Sequence, residues 1–188
     1  MKFVLGSKSK RRSELLQLLD LDFYVDAVDA DEHIESYSNA KDYATQVVLR
    51  KGKLVSAKHP LEFIICADTI VVVDGIILGK PVDKDDARRM MNLLKDKTHE
   101  VVTAVYLKYK EYQEVFVETT KVFVSKITDK EIENYINTSE PYDKSGAYAI
   151  QGGFSKFVEK VDGDFFNVMG LPIHKLYMKI KEILKKIE

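Results

Sequence analysis

Residues 63 to 81 read Phe-Ile-Ile-Cys-Ala-Asp-Thr-Ile-Val-Val-Val-Asp-Gly-Ile-Ile-Leu-Gly-Lys-Pro, and the way this run folds decides how the rest of the chain is arranged. A continuous β-branched apolar run suits a strand covered on both faces, because each face must meet a packed layer rather than water. Asp74-Gly75 between Val71-Val72-Val73 and Ile76-Ile77-Leu78 predicts a two-residue hairpin. That hairpin returns Lys80 toward the region of Asp68. Asp68 and Thr69 interrupt the apolar run at its centre. An ionised carboxylate in apolar surroundings is costly unless a cation or metal meets it, so Asp68 is either a functional carboxylate or a strand-end residue capping a loop.

Working outward, Phe3-Val4-Leu5 predicts a short strand, Gly6-Ser7-Lys8-Ser9 a turn, and the following residues a helix with Leu15, Leu18 and Leu19 on one face. Lys10, Arg11 and Arg12 fall in the first turn of that helix, where the positive end of the macrodipole disfavours cations. A phosphate held by the free N–H groups, the Ser7 and Ser9 hydroxyls and a guanidinium would offset them; a solvated basic turn is the alternative. The segment from Phe23 to Glu35 is acidic, and Asp31 or Glu32 is the candidate to reach a divalent cation. Asn39 is placed to cap a helix whose apolar face is Ala44, Val47, Val48, Leu54 and Val55. Lys51 lies on that same face, so it either snorkels to an edge or points into a cleft that holds an anion.

On the other side of the hairpin, Asp83 caps a helix with Ala87, Met90, Met91 and Leu94 as its core stripe. Strands follow at Val101 to Tyr109 and, as one long strand or two short ones, at Tyr112 to Val124, then a capping box at Thr128-Asp129-Lys130-Glu131. The stretch Glu140 to Gly153 mixes charges, small residues and glycines, as a loop close to a ligand does. A final hairpin is expected around Asp162-Gly163, and Pro172 opens a last helix bearing Ile173, Leu176, Ile180 and Leu184. Helices alternate with strands early and strands cluster in the middle, which predicts an α/β fold with a mixed sheet.

Composition narrows the function classes. The 188 residues are enough for one well-buried domain, 1–188, and 45% hydrophobic content supplies its core. Lysine and arginine number 29 against 30 acidic residues, so the net charge of -1 gives no reason to expect nucleic acid or an anionic membrane as partner. Cys66 is the single cysteine, which excludes an internal disulfide and, among apolar neighbours, reads as an inert thiol in a reducing compartment. No apolar stretch approaches the ~18 residues a membrane helix takes, so the chain is expected to be cytoplasmic.

Several motifs in order resemble one family. Ser7-Lys8-Ser9-Lys10-Arg11-Arg12-Ser13-Glu14-Leu15-Leu16, Ala67-Asp68-Thr69, Leu78-Gly79-Lys80-Pro81, His99-Glu100-Val101-Val102-Thr103 and the run from Glu140 to Gly152 look like the Maf (septum formation) family. The resemblance implies a nucleoside triphosphate pyrophosphatase assisted by Mg²⁺ or Mn²⁺, a house-cleaning enzyme of nucleotide pools. It also implies an elongated twisted mixed sheet with two lobes around a deep cleft, similar to the inosine triphosphatase type, and a homodimer as the assembly. By position, Asp68 matches the proton acceptor, while Arg11, Thr69 and Gln151 match positions that set substrate choice. Ser7, Arg12, Lys51, Lys80 and one of Asp31 or Glu32 match the remaining cleft residues. Read from the chemistry, Asp68 is either the proton acceptor or a metal ligand together with Glu32. The Ala-Asp-Thr and Gly-Ala-Tyr-Ala-Ile-Gln-Gly forms resemble the dTTP/UTP-preferring subgroup. Lys10, Gly52 and Ala149 depart from the family's usual proline, alanine and glycine. The alternative function is a nucleotide-binding regulator of cell division without turnover.

Overall fold

The computed structural model describes residues 1–187, so the last residue of the expected 1–188 domain lies outside the described residues. It is an α/β protein. In chain order the elements are β1 (Phe3–Leu5), α1 (Lys10–Gln17), β2 (Phe23–Val25), α2 (Ala40–Lys58), β3 (Phe63–Val73), β4 (Ile76–Leu78), α3 (Lys84–Leu94), β5 (Thr98–Tyr109), β6 (Tyr112–Val124), α4 (Asp129–Ile136), β7 (Val158–Asp162), α5 (Phe165–Met169) and α6 (Ile173–Lys185). The strands form one seven-stranded mixed sheet in the order β2-β1-β3-β5-β6-β7, with β4 paired to β3. Among the described residues no helix is long and apolar enough to cross a membrane.

The chain divides into two compact units, one of residues 1–68, 103–118 and 170 onward, the other of residues 69–102 and 119–169. In the first unit β1 runs parallel to both β2 and β3, with Phe3 opposite Phe23 and Phe63. Parallel neighbours require crossovers, and α1 and α2 supply them. Residues 63 to 67 of β3 are all buried, as the continuous apolar run demands. Helix α2 is capped by the Asn39 side chain, which accepts from the Asp42 N–H, and buries Ala44, Val47, Val48 and Val55. Leu54, expected on that face, is 47% exposed. Helix α1 ends at Gln17, so Leu18 is exposed, and Leu15 with Leu16 does the packing.

The second unit holds one contiguous core that includes Val71, Val73, Leu78, Met90, Met91, Leu94, Ile132, Ile136 and Phe154. Its β3–β4 hairpin turns at Asp74 and Gly75, whose φ values of 50° and 78° are those the two-residue turn demands. The hairpin expected at Asp162-Gly163 does not form. Strand β7 pairs back antiparallel with β6, and Gly163 leads into α5, whose first N–H groups, at Phe166 and Asn167, donate to the Asp164 carboxylate at 2.7 and 3.1 Å.

Within the first unit, Gly52 is fixed by packing. A Cβ there would lie 2.3 Å from the Tyr106 ring, and Tyr106 is fully buried with its hydroxyl bonded to Ser56 and Gln113 at 3.1 Å each. The ring is pinned, so the helix passes it only without a side chain. Gly52→Ala gains up to about 1 kcal/mol of helix propensity but forces an overpacking cost of roughly 1–3 kcal/mol. The expected result is a lower urea midpoint, partly recovered by adding Tyr106→Leu; a raised midpoint in the single variant would contradict the packing argument.

Candidate active site

The first unit places five of the singled-out side chains close together. Strand β1 delivers the chain into Gly6–Ser9, and Ser9 caps α1 by accepting from the Arg12 N–H at 3.5 Å. Ser7 is buried, and its Oγ accepts from the Ser9 N–H at 3.3 Å and from Arg12 Nη1 at 3.1 Å. Arg12 Nε donates to the Gly170 carbonyl at 2.9 Å, so the guanidinium is fixed from two sides rather than solvated. Burial lowers the Arg12 pKa, and the charges of Asp68 and Glu32 oppose that fall. Of the three cations in this turn, Lys10 is exposed and Arg11 and Arg12 are half-buried.

Helix α2 brings Lys51 to the same neighbourhood. Its Nζ donates to Asp68 Oδ1 at 2.7 Å and stands 2.7 Å from Glu32 Oε1. Lys51 and Asp68 are nearly enclosed, with side chains 13% and 12% exposed, whereas Glu32 reaches in from a side chain 62% exposed. The core-facing lysine therefore points at a carboxylate instead of snorkelling. Of the two acidic candidates, Glu32 meets Lys51; the Asp31 carboxylate instead accepts from the His33 N–H at 2.8 Å in a local turn.

Residues not foreseen from the sequence hold this arrangement. The Tyr43 hydroxyl donates to the Glu32 carbonyl at 3.2 Å, and Arg50 Nη1 donates to the His33 carbonyl at 2.6 Å. Burial raises the Tyr43 pKa, with the charges of Asp68 and Glu32 adding to it. Its signal was available: residues 43, 47 and 51 are spaced by four, one above another on α2. Cys66 lies just before Asp68, but burial pushes its thiol up to about 12, so it supplies no thiolate at neutral pH.

A divalent cation fits this donor set. Asp68 and Glu32 are hard oxygen donors already converging on one ammonium, and Mg²⁺ at phosphates usually takes only one or two protein carboxylates. Among the described residues no group of three or more His, Cys, Asp or Glu could hold a metal alone, which leaves the other coordination positions to water and phosphate oxygens.

Thr69, Lys80 and Gln151 belong to the second unit. The Ser145 hydroxyl donates to the Thr69 carbonyl at 2.8 Å, and the next N–H, of Gly146, donates to the Gly79 carbonyl at 2.9 Å. One turn thus ties down the segments that carry Thr69 and Lys80. Lys80 and Gln151 are exposed. His99 is buried, and its Nε2 pairs with the Tyr148 hydroxyl at 2.7 Å, a structural contact.

Comparison with known proteins places this geometry in context. The model of the Maf-like protein family matches residues 2–183. A protein of Koribacter versatilis named dTTP/UTP pyrophosphatase is 45% identical over 181 residues, covering 96% of this chain and 94% of the relative. One of the same name from Acholeplasma laidlawii is 44% identical, covering 95% of both chains. The solved structure of the Staphylococcus aureus Ham1 protein has a TM-score of 0.56 at 13% identity and covers 97% of this chain and 99% of that one, a likeness of fold.

Proposed function

The chain belongs to the Maf family, and from that premise we infer that it is a nucleoside triphosphate pyrophosphatase cleaving dTTP and UTP to the monophosphate and pyrophosphate. The observation that carries this reading is the Lys51 ammonium held 2.7 Å from each of two carboxylates, Asp68 and Glu32. Phosphoryl cleavage is governed by positioning and charge stabilisation, and this cluster offers both beside the guanidinium of Arg12, which is held by Ser7 and Gly170.

In the proposed reaction, the oxygen of water bonds to the phosphorus nearest the nucleoside. The bond from that phosphorus to its bridging oxygen breaks, the electron pair leaves on pyrophosphate, and the proton of water passes to the Asp68 carboxylate. Lys51 and Arg12 stabilise the negative charge on the phosphate oxygens, and the ion pair and hydrogen bonds that hold them mean little ordering is left for the moment of reaction. The first turn of α1, with Ser7, and Lys80 are assigned to the triphosphate. A divalent cation, Mg²⁺ or Mn²⁺, held by Asp68 and Glu32 would add positive charge at the phosphates and acidify water, which a carboxylate alone deprotonates poorly.

Arg11, Thr69 and Gln151 are assigned to substrate choice. An amide and a hydroxyl together offer the donor and acceptor that a pyrimidine edge presents. Pyrophosphate release from dTTP, UTP, CTP, ATP and GTP with Mg²⁺ or Mn²⁺ tests the reading, and release from dTTP and UTP above the rest is expected. Binding of nucleotide without release would instead favour a regulatory protein. Gln151→Ala should lower the preference for dTTP over GTP by about tenfold, the order expected for one lost hydrogen bond in a specificity site. An unchanged ranking would remove Gln151 from base recognition.

A further inference from the structure

The turn that carries Gln151 is held at both ends by a single carboxylate that no reading above employs. The turn closes through the Gly152 N–H, which donates to the Ala149 carbonyl at 3.1 Å. On its far side the Gly153 N–H donates to Glu140 Oε2 at 2.9 Å. On its near side the Ala149 N–H donates to the Tyr135 hydroxyl at 3.3 Å, and that hydroxyl donates to Glu140 Oε1 at 2.7 Å. Glu140 itself is fixed: its N–H donates to Thr138 Oγ1 at 3.3 Å and its carbonyl accepts from Lys144 Nζ at 2.7 Å. Gly152 closes the packing, because a Cβ there would lie 2.2 Å from Glu140 Oε2.

We propose that Glu140 and Tyr135 are positioning residues for pyrimidine recognition, holding both flanks of the Gln151 turn so that its amide is presented in one orientation. The proposal rests on the reading of Gln151 as a base-contacting residue. The physical case is that Gln151 is exposed and sits on a short irregular turn, where its backbone would otherwise sample several states. Discrimination between bases by a hydrogen-bonding side chain is only as sharp as the rigidity of the backbone beneath it. Here both oxygens of one carboxylate accept from that turn, one directly and one through a phenol whose proton is kept in place. Burial raises the Tyr135 pKa, and the Glu140 carboxylate raises it further, so the phenol donates to Glu140 while its oxygen accepts from Ala149. Two charge-assisted or relayed bonds from one side chain make the turn a unit with α4 instead of a loose loop.

The test compares kcat and KM for dTTP, UTP and GTP in the wild type, Tyr135→Phe, Glu140→Ala, Glu140→Gln, Gln151→Ala and the Glu140→Ala/Gln151→Ala double variant. Tyr135→Phe and Glu140→Ala should each lower the dTTP-over-GTP ratio of kcat/KM by roughly 5- to 10-fold, with the change falling on KM for dTTP more than on kcat. Glu140→Gln should restore only part of the ratio, because its amide oxygen still accepts from the Gly153 N–H while its amide nitrogen cannot accept from the Tyr135 hydroxyl. The double variant should discriminate no worse than Gln151→Ala, since the two residues act through one contact. Tyr135→Phe keeps the ring and its packing, so it decides the matter if Glu140→Ala does not fold. A wild-type ratio in Tyr135→Phe and Glu140→Ala alongside a changed ratio in Gln151→Ala would overturn this proposal alone. A wild-type ratio in Gln151→Ala would overturn the base-contact reading and this proposal with it.

Discussion

Asp68→Asn is expected to lower kcat for dTTP by 10²- to 10⁴-fold, about the contribution of a positioned general base, while leaving a folded protein with a nearly unchanged thermal midpoint. The two halves of that expectation come from the same geometry. Asn keeps the shape of Asp and an oxygen that accepts from Lys51 Nζ, now 2.7 Å from Asp68 Oδ1, and Lys51 retains Glu32 at 2.7 Å as its counter-ion. What the amide lacks is the capacity to take a proton and the charge to bind a cation. Kinetics of pyrophosphate release beside a thermal melt check both, and a variant turning over at the parental rate would remove Asp68 from the reaction.

Lys51→Met should produce the largest loss of stability among single changes in this cluster. Removing the ammonium leaves the Asp68 carboxylate, with a side chain only 12% exposed, without its ion-pair partner. Breaking an enclosed pair from one side costs roughly 3–5 kcal/mol, and the nearby charge of Arg12 keeps the expected figure near the lower end. Activity should fall with stability, since the phosphates lose a cation. The double variant Lys51→Met/Asp68→Asn separates the two effects. It removes the stranded charge, so stability should return to within about 1 kcal/mol of wild type while activity stays lost. Urea unfolding of the four proteins of the cycle supplies the coupling, and additive losses would mean that the pair contributes nothing beyond its separate members.

Much of the fold could be read where one local rule was strong enough to decide it. Asp74-Gly75 specifies a turn with two positive φ values, and Asn39, Asp83 and Thr128 each cap a helix by accepting an N–H three residues on. Lys51 was legible for a similar reason, because helical spacing alone put an ammonium on a buried face. The failures lie where a local signal has two continuations. Asp162-Gly163 marks a turn, but the Asp164 carboxylate two residues after Asp162 captures the next N–H groups and starts a helix, so no second strand follows. Leu18 continues an apolar pattern that the backbone abandons one residue earlier, at Gln17.

Strand β2 was not foreseen, because three residues on the sheet edge carry no alternation and owe their conformation to pairing with β1. In the site, the Gly170 carbonyl that fixes Arg12 belongs to a residue 158 positions away and has no side chain to announce it. Glu140 was visible as a charge in a small-residue loop, yet its role depends on where Tyr135 and Gly153 come to rest, which spacing does not encode.

The central claim is that the cluster of Asp68, Lys51 and Glu32 serves the cleavage of a nucleoside triphosphate into monophosphate and pyrophosphate. Phosphorus NMR of dTTP incubated with Mg²⁺ and the wild-type protein, beside the same reaction with Asp68→Asn, tests it most directly. Equal amounts of dTMP and pyrophosphate with the wild type, and intact dTTP with the variant, are the predicted spectra. Intact dTTP with both proteins, or dTDP and orthophosphate in place of dTMP and pyrophosphate, would contradict it.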